Sequence, residues 1–320
     1  MNEPKTKVEQ DWPEGVALRD ALSRGDTMLA RAGPILSHLL SDTDRSLFTD
    51  EIVARIRGML TDLAKRLLRV QADATGSRAR EEFMAQQLEG LTEALIASPA
   101  LVAHCHALAI EWQAIARLEE ASSLDPVLSP MLQELIGHED PAIAGTAMAA
   151  LAAQTRFARS QRRLELPFAE LTGDLFHDLL LHWREYNHGE LSSALERAEV
   201  RLREEYDEAG GRAALLSRVV SALGKDAQDA LSVDHAGIAL FLTALSARTG
   251  QSRDMAAFSL NEGQSARLAL GLRAAGMKVP DVERQLLRIH PDAMPPAELD
   301  QIGTREAAQM IGQSGKWIGV

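Results

Sequence analysis

Apolar residues recur every three or four positions along most of the chain, the spacing that sets one face of an α-helix against a core. From Thr49, the series Ile52, Val53, Ile56, Met59, Leu60, Leu63, Leu67 and Val70 predicts one long helix. Thr49 is its N-cap, with Asp50 and Glu51 favourably placed in the first turn. The stretch 71–81 holds Gly76 and Ser77 and reads as a connector. A helix carrying Phe83, Leu88, Leu91 and Leu95 follows. Ser98-Pro99 then opens a helix with Leu101, Val102, Cys105, Leu108, Trp112 and Ile115 on one side, because proline suits the first helical position. Asp125-Pro126 and Asp140-Pro141 repeat that signal, and Gly137 closes a short helix between them. Farther on, Gly210-Gly211, Gly224, Gly250 and Gly276 each follow a helical pattern where a left-handed terminal residue is expected. No segment alternates with period two over strand length.

The expected fold class is therefore all-α and multihelical, built from stacked helical hairpins in the manner of HEAT repeats or an α-solenoid. Its expected parts are a loose polar arm over 1–15, N-terminal helical hairpins over 16–165 and a C-terminal helical region over 166–320. An internal repeat supports the stacking. Residues 34–47 laid over 130–143 align Pro34 with Pro130 and Asp44 with Asp140. The pairs Ile35/Met131, Leu36/Leu132, Leu39/Leu135, Leu40/Ile136 and Leu47/Ile143 then coincide. A hairpin of this kind cannot bury its apolar face alone and needs neighbours.

The segment HEDPAIAGTAMAALAAQ resembles a HEAT repeat: Asp140-Pro141 fixes the turn, and Ala147 and Ala150 let helices approach closely. More widely, LSPMLQELIGHEDPAIAGTAMAALAAQTRFARSQRRLELPFAEL, with ALSARTGQSRDMAAFSLNEGQSARLALGLRAAGM downstream, resembles an alphaproteobacterial all-helical family of unknown function, DUF2336. The resemblance spans about residues 128–291. It implies an all-α, HEAT-like fold and supplies no catalytic residues.

Composition narrows the function classes. The chain has 320 residues, 46% hydrophobic and 25% charged, which is a folding chain with room for one extended structure or two domains. A net charge of −12 opposes general binding to nucleic acid or anionic membrane, so neither is expected as a partner. A single cysteine, Cys105, and a polar amino terminus lead to the expectation of a cytoplasmic protein. The longest apolar run, 236–247, is shorter than the ~20 residues that span a bilayer and reads as a core helix.

Candidate chemistry is sparse. Asp178, His182 and Glu185 share a helical face at ~100° per residue and could ligate a metal, although di-iron helical proteins use paired Glu-x-x-His motifs from four helices. His177 and His188 point elsewhere on that helix. His104, Cys105 and His106 diverge and cannot meet one ion; Cys105 belongs to the buried face. The segment 271–278 approaches phosphate-loop spacing, but Met277 displaces Lys278 and no strand precedes it. Asn261 is an expected N-cap. Gly-Gln-Ser recurs at Gly250, Gly263 and Gly312, which reads as a helix end followed by a serine cap. Arg156, Arg159, Arg162 and Arg163 form the one basic cluster, either a solvated face or a docking site for an acidic or phosphorylated partner. No cofactor is expected. The leading expectation is a non-enzymatic protein-interaction or regulatory scaffold, with bacterial signalling as its setting and another protein as partner. The alternative is a helical metal-binding protein or small-ligand enzyme centred on Asp178, His182 and Glu185. A homodimer through Leu179 to Leu181 is compatible with both.

Overall fold

A computed structural model describes residues 15–41, 51–75, 80–188, 192–291 and 298–314. The described residues are almost wholly helical and contain no strand. In order, the helices are α1 (Val16–Ser41), α2 (Glu51–Thr75), α3 (Arg80–Ile96), α4 (Pro99–Ser122), α5 (Pro130–Ile136), α6 (Pro141–Arg162) and α7 (Gly173–Tyr186). There follow α8 (Ser193–Glu205), α9 (Arg212–Ala222), α10 (Val233–Thr249), α11 (Arg253–Phe258), α12 (Ser265–Ala274), α13 (Val279–Ile289) and α14 (Thr304–Gln313). Short 3-10 turns lie at Phe168–Glu170, Gly224–Leu231 and Glu262–Gln264.

Local chemistry sets most of these boundaries. Ser98 Oγ accepts from Leu101 N at 3.2 Å to start α4, and Asp140 Oδ1 accepts from Ala142 N at 2.8 Å to start α6. Ser252 starts α11 in the same way, and Asn261 caps the turn that leads into α12. Gly224, Gly250 and Gly276 have φ of 54°, 69° and 93°, the left-handed region that ends a helix cheaply only at glycine.

Other expectations are corrected. Asp125-Pro126 opens no helix, because Asp125 Oδ1 accepts from both Val127 N and Leu128 N and holds a turn instead. The cap belongs to Ser129, with Pro130 at the first helical position. Gly211 caps the start of α9 and does not terminate α8. Helix α2 runs on to Thr75, into the expected connector. Pro34 lies inside the 26-residue α1 and does not begin a helix there. The first copy of the internal repeat therefore starts differently from the second, and its Asp44 and Leu47, like the Thr49 cap, lie outside the described residues. So does the arm up to residue 14.

Two helices form the interior. On α4, thirteen residues from Leu101 to Leu118 are buried, and it packs against α1, α2, α7, α10 and α11. Helix α10 carries the long apolar run and is bent at Gly237, whose φ of 69° breaks the helical path. A Cβ there would come within 3.1 Å of Ser129 Cβ, so the bend and the close approach of α5 both require glycine. Nearly all the buried apolar residues among those described form a single cluster from Leu18 to Ile311, so the described parts of 16–165 and 166–320 share one core. The two ends of the described chain also meet. Arg19 pairs with Glu306 of α14, and the fully buried Arg267 of α12 pairs with Asp26 of α1 and donates to Ser314 Oγ at 3.1 Å. Such contacts join helices far apart in sequence, which nearest-neighbour stacking alone does not do. No single described helix is long and apolar enough to cross a membrane.

Candidate functional site

The most polar part of the interior lies under α6. Glu111, on the buried face of α4, has no solvent exposure and receives four guanidinium hydrogen bonds. Arg212 donates at 2.8 and 3.1 Å from its two Nη atoms, and Arg253 donates twice at 2.7 Å. Arg212 Nε donates to Glu170 Oε2 at 2.7 Å, and its Nη1 reaches Gln154 Oε1 of α6 at 3.3 Å. The guanidinium also lies 3.6 Å from the centroid of the Phe157 ring. Next to it, His104 Nδ1 is 2.9 Å from Asp254 Oδ2, and its Nε2 is 3.1 Å from the Glu170 carbonyl oxygen.

Charge balance makes this burial tolerable. Glu111, Glu170 and Asp254 stand against Arg212, Arg253 and His104, and a buried ion survives only when paired and hydrogen-bonded. Burial opposes ionisation of Glu111, but Arg212 and Arg253 outweigh it and hold the carboxyl well below the usual carboxylate range. For Arg212, burial is likewise outweighed by Glu111 and Glu170, which raise its pKa. Burial also disfavours the charged form of His104, yet Asp254 and then Glu170 raise its pKa above the ordinary histidine value. Geometry agrees: both ring nitrogens face acceptors, so both must carry protons.

Helix α6 covers this network and presents a different face outward. Its inward residues are Ala147, Ala150, Ala153, Gln154, Phe157, Ala158, Ser160 and Gln161. Its outer arc, about 120° wide at ~100° per residue, carries Gly145, Met148 and Ala152, then Arg156, Arg159 and Arg162, with Arg163 at the C-cap just beyond, all exposed. At ~1.5 Å per residue the arc from Gly145 to Arg163 is about 27 Å long. The arginine end is braced from below. Trp112 packs edge-on against Phe157, with centroids 6.4 Å apart, and Arg162 and Arg55 lie 5.6 and 6.0 Å from the Trp112 ring. Arg55 Nη1 donates to the Gln161 carbonyl at 3.0 Å. Leu164, with φ of 56°, turns the chain back beneath the helix end. None of Arg156, Arg159, Arg162 and Arg163 has a carboxylate partner among the described residues.

The other sequence-derived candidates are placed as follows. Asp178, His182 and Glu185 are all on α7, but no group of three His, Cys, Asp or Glu residues suited to a metal ion occurs among the described residues. Asp178 Oδ2 accepts from Ser98 Oγ at 2.6 Å, which ties α7 to the cap of α4. His182 Nδ1 donates to the Asp178 carbonyl at 3.0 Å, and Glu185 is exposed. The three serve helix docking and a solvated face. Cys105 is fully buried and its thiol pKa is pushed up by burial and then by Asp254. Gly271 to Ala274 continue α12 as a helix. Of the serines in the three Gly-Gln-Ser copies, Ser252 caps, Ser265 begins α12, and Ser314 accepts from Arg267. Leu179 and Leu180 are buried in the core and only Leu181 is exposed, so the Leu-rich dimer face is consumed by folding.

Sequence reasoning missed the network. Two hints were readable: Glu111 interrupts an apolar helical face, and Arg212 opens α9, where the helix dipole disfavours a cation. Each signals an unmet charge, though neither names the partner. The result is an all-α protein with one shared core, a buried ion network and an arginine ridge above it. Set against family models, curated proteins and solved structures, the chain matches none.

Proposed function

We propose that the protein is a non-enzymatic interaction scaffold whose α6 ridge docks an acidic segment of another protein. One observation supports this reading above the others. Four exposed arginines at the end of one helix have no carboxylate partner among the described residues, on a chain of net charge −12 where acidic side chains are abundant. Guanidiniums lose less hydration than ammoniums on binding and take carboxylates in bidentate pairs, so an arginine ridge suits protein contact. The exposed Met148 at the other end supplies an apolar anchor beside the charges. Below the ridge, the ion network and Trp112 fix α6, which lowers the ordering cost of binding.

The test uses a fluorescent acidic peptide rich in Asp and Glu, and a control of equal length with Lys in place of the acids, read by anisotropy. The acidic peptide should bind, weaken as salt rises, and lose at least about tenfold in affinity to an Arg159→Glu, Arg163→Glu double variant. Binding that the charge reversal leaves unchanged, or equal binding of the Lys control, would overturn the proposal.

A further inference from the structure

A second site of opposite character lies at the end of α8. A cleft of about 280 Å³ is lined by Phe168, Ala169, Leu202, Glu205, Tyr206, Asp207 and Gly210. Its aromatic wall is rigid. The Tyr206 ring stacks on the buried Phe176, centroids 4.0 Å apart and planes 5° from parallel, while Phe168 meets Phe176 edge-on at 5.9 Å. Tyr206 Oη donates to the Leu171 carbonyl at 3.0 Å, which fixes the ring in its plane. Phe176 covers one face of Tyr206, and Tyr206 is among the residues that line the cleft.

The surroundings of that ring are acidic. Glu205 is paired with Arg201 at 2.7 Å, but Asp174, Asp207 and Glu208 have no cationic side-chain partner among the described residues. Asp207 Oδ1 accepts from Gly210 N at 3.1 Å, which holds the carboxylate at the rim. The nearby Arg218 donates to the Ala209 carbonyl at 2.7 Å and Arg212 is committed to the buried network, so neither answers these charges. The Tyr206 phenol registers the surroundings: its pKa is pushed up to about 12, by burial first and then by Glu208, Asp174 and Asp207.

Aromatic faces attract cations through their quadrupole, and carboxylates at the rim add charge attraction. Pockets for drug-sized ligands run to about 300–1,000 Å³, and this cleft stands at the small end of that range. We infer that the Phe168–Tyr206 cleft binds a small organic cation of the alkylammonium class, either free or at the end of a lysine-like side chain. This is independent of the arginine ridge, which lies on a different helix and carries the opposite charge.

The test is calorimetric titration of the full chain with choline, with its uncharged carbon isostere 3,3-dimethylbutan-1-ol, and with a trimethyllysine amide. Choline should bind with a Kd below about 10 mM, and the isostere at least about tenfold more weakly. Choline tighter than the trimethyllysine amide identifies a free cation as ligand, and the reverse order identifies a side chain. In an Asp207→Asn, Glu208→Gln variant, checked for an unchanged thermal melt, choline affinity should fall about tenfold, because the Asn oxygen still accepts from Gly210 while the charge is gone. Absence of choline binding, equal binding of the isostere, or indifference to the charge-neutral variant each overturns the inference. Arg159→Glu, Arg163→Glu should leave choline binding unchanged, so failure of one site is separable from failure of the other.

Discussion

Replacing Glu111 by glutamine removes one charge and almost no volume from the centre of the ion network. The carboxylate receives four hydrogen bonds on two oxygens, from Arg212 and Arg253. A glutamine offers one accepting oxygen and turns its amide hydrogens toward guanidinium donors. Arg212 keeps Glu170, but Arg253 is left with Thr243 Oγ1 at 3.3 Å and a backbone carbonyl. Breaking a buried pair by removing one partner costs about 3–5 kcal/mol, because the surviving charge stays buried. For a 320-residue chain, above the 150–250-residue range where each kcal/mol shifts Tm by about 2–4 °C, the shift is about 1.5–2 °C per kcal/mol and the melt should fall by roughly 5–10 °C. Circular-dichroism melts at pH 7 measure it, with exposed Glu185→Gln as the control. The sign with pH also follows. The folded-state pKa of Glu111 is depressed, so its contribution is complete above the unfolded carboxylate range and is lost as pH falls through the folded value. Glu111→Gln should therefore flatten the decline in stability below about pH 5. Replacing the whole group, as Glu111→Leu with Arg212→Met and Arg253→Met, should harm less than Glu111→Gln alone, since no unpaired charge remains. A Tm within about 2 °C of the parent for Glu111→Gln would refute the view that this carboxylate holds the buried Arg212 and the partly buried Arg253.

His104 gives the opposite pH sign: its folded pKa is raised, so its contribution is complete below the ordinary histidine value and is lost as pH rises through the folded one. Melts across pH 6–9 should decline more in the parent than in His104→Gln, and an NMR titration placing His104 below 6.5 would contradict the assignment. Gly58→Ala should destabilise by about 1–3 kcal/mol, because the new Cβ would sit 2.7 Å from Leu164 Cβ, beside the arginine ridge. A helix normally gains about 1 kcal/mol from that change, so a stabilised variant in urea denaturation would disprove the tight contact.

What was readable in the sequence was local. Ser98-Pro99 and Asp140-Pro141 identify helix starts because cap and proline act within one turn. Asp125-Pro126 looks the same, yet the start falls at Ser129-Pro130, where Met131, Leu132 and Leu135 can reach the core. Pro34 is carried inside α1 because Leu29, Leu36 and Leu40 bury on both sides of it, and packing outweighs one missing backbone bond. The basic cluster was visible because its four members lie within eight consecutive residues of one helix. The ion network was not: Arg212 stands 101 residues from Glu111, and Arg253 stands 142 from it. Asp178, His182 and Glu185 looked chemical in one dimension, but ligation needs donors converging from several helices, and here His182 bonds back to Asp178 within α7, Asp178 accepts from the α4 cap and Glu185 faces solvent.

The pairing of Arg267 with Asp26 joins residues 241 apart in the chain. During synthesis α1 leaves the ribosome before α12 exists, so it can meet α2, α3 and α4 early, while Asp26 must wait for the arginine that it pairs with. The packing of α1 is thus completed only when α12 arrives. Until then part of its surface stays open to chaperones, to proteases and to other chains.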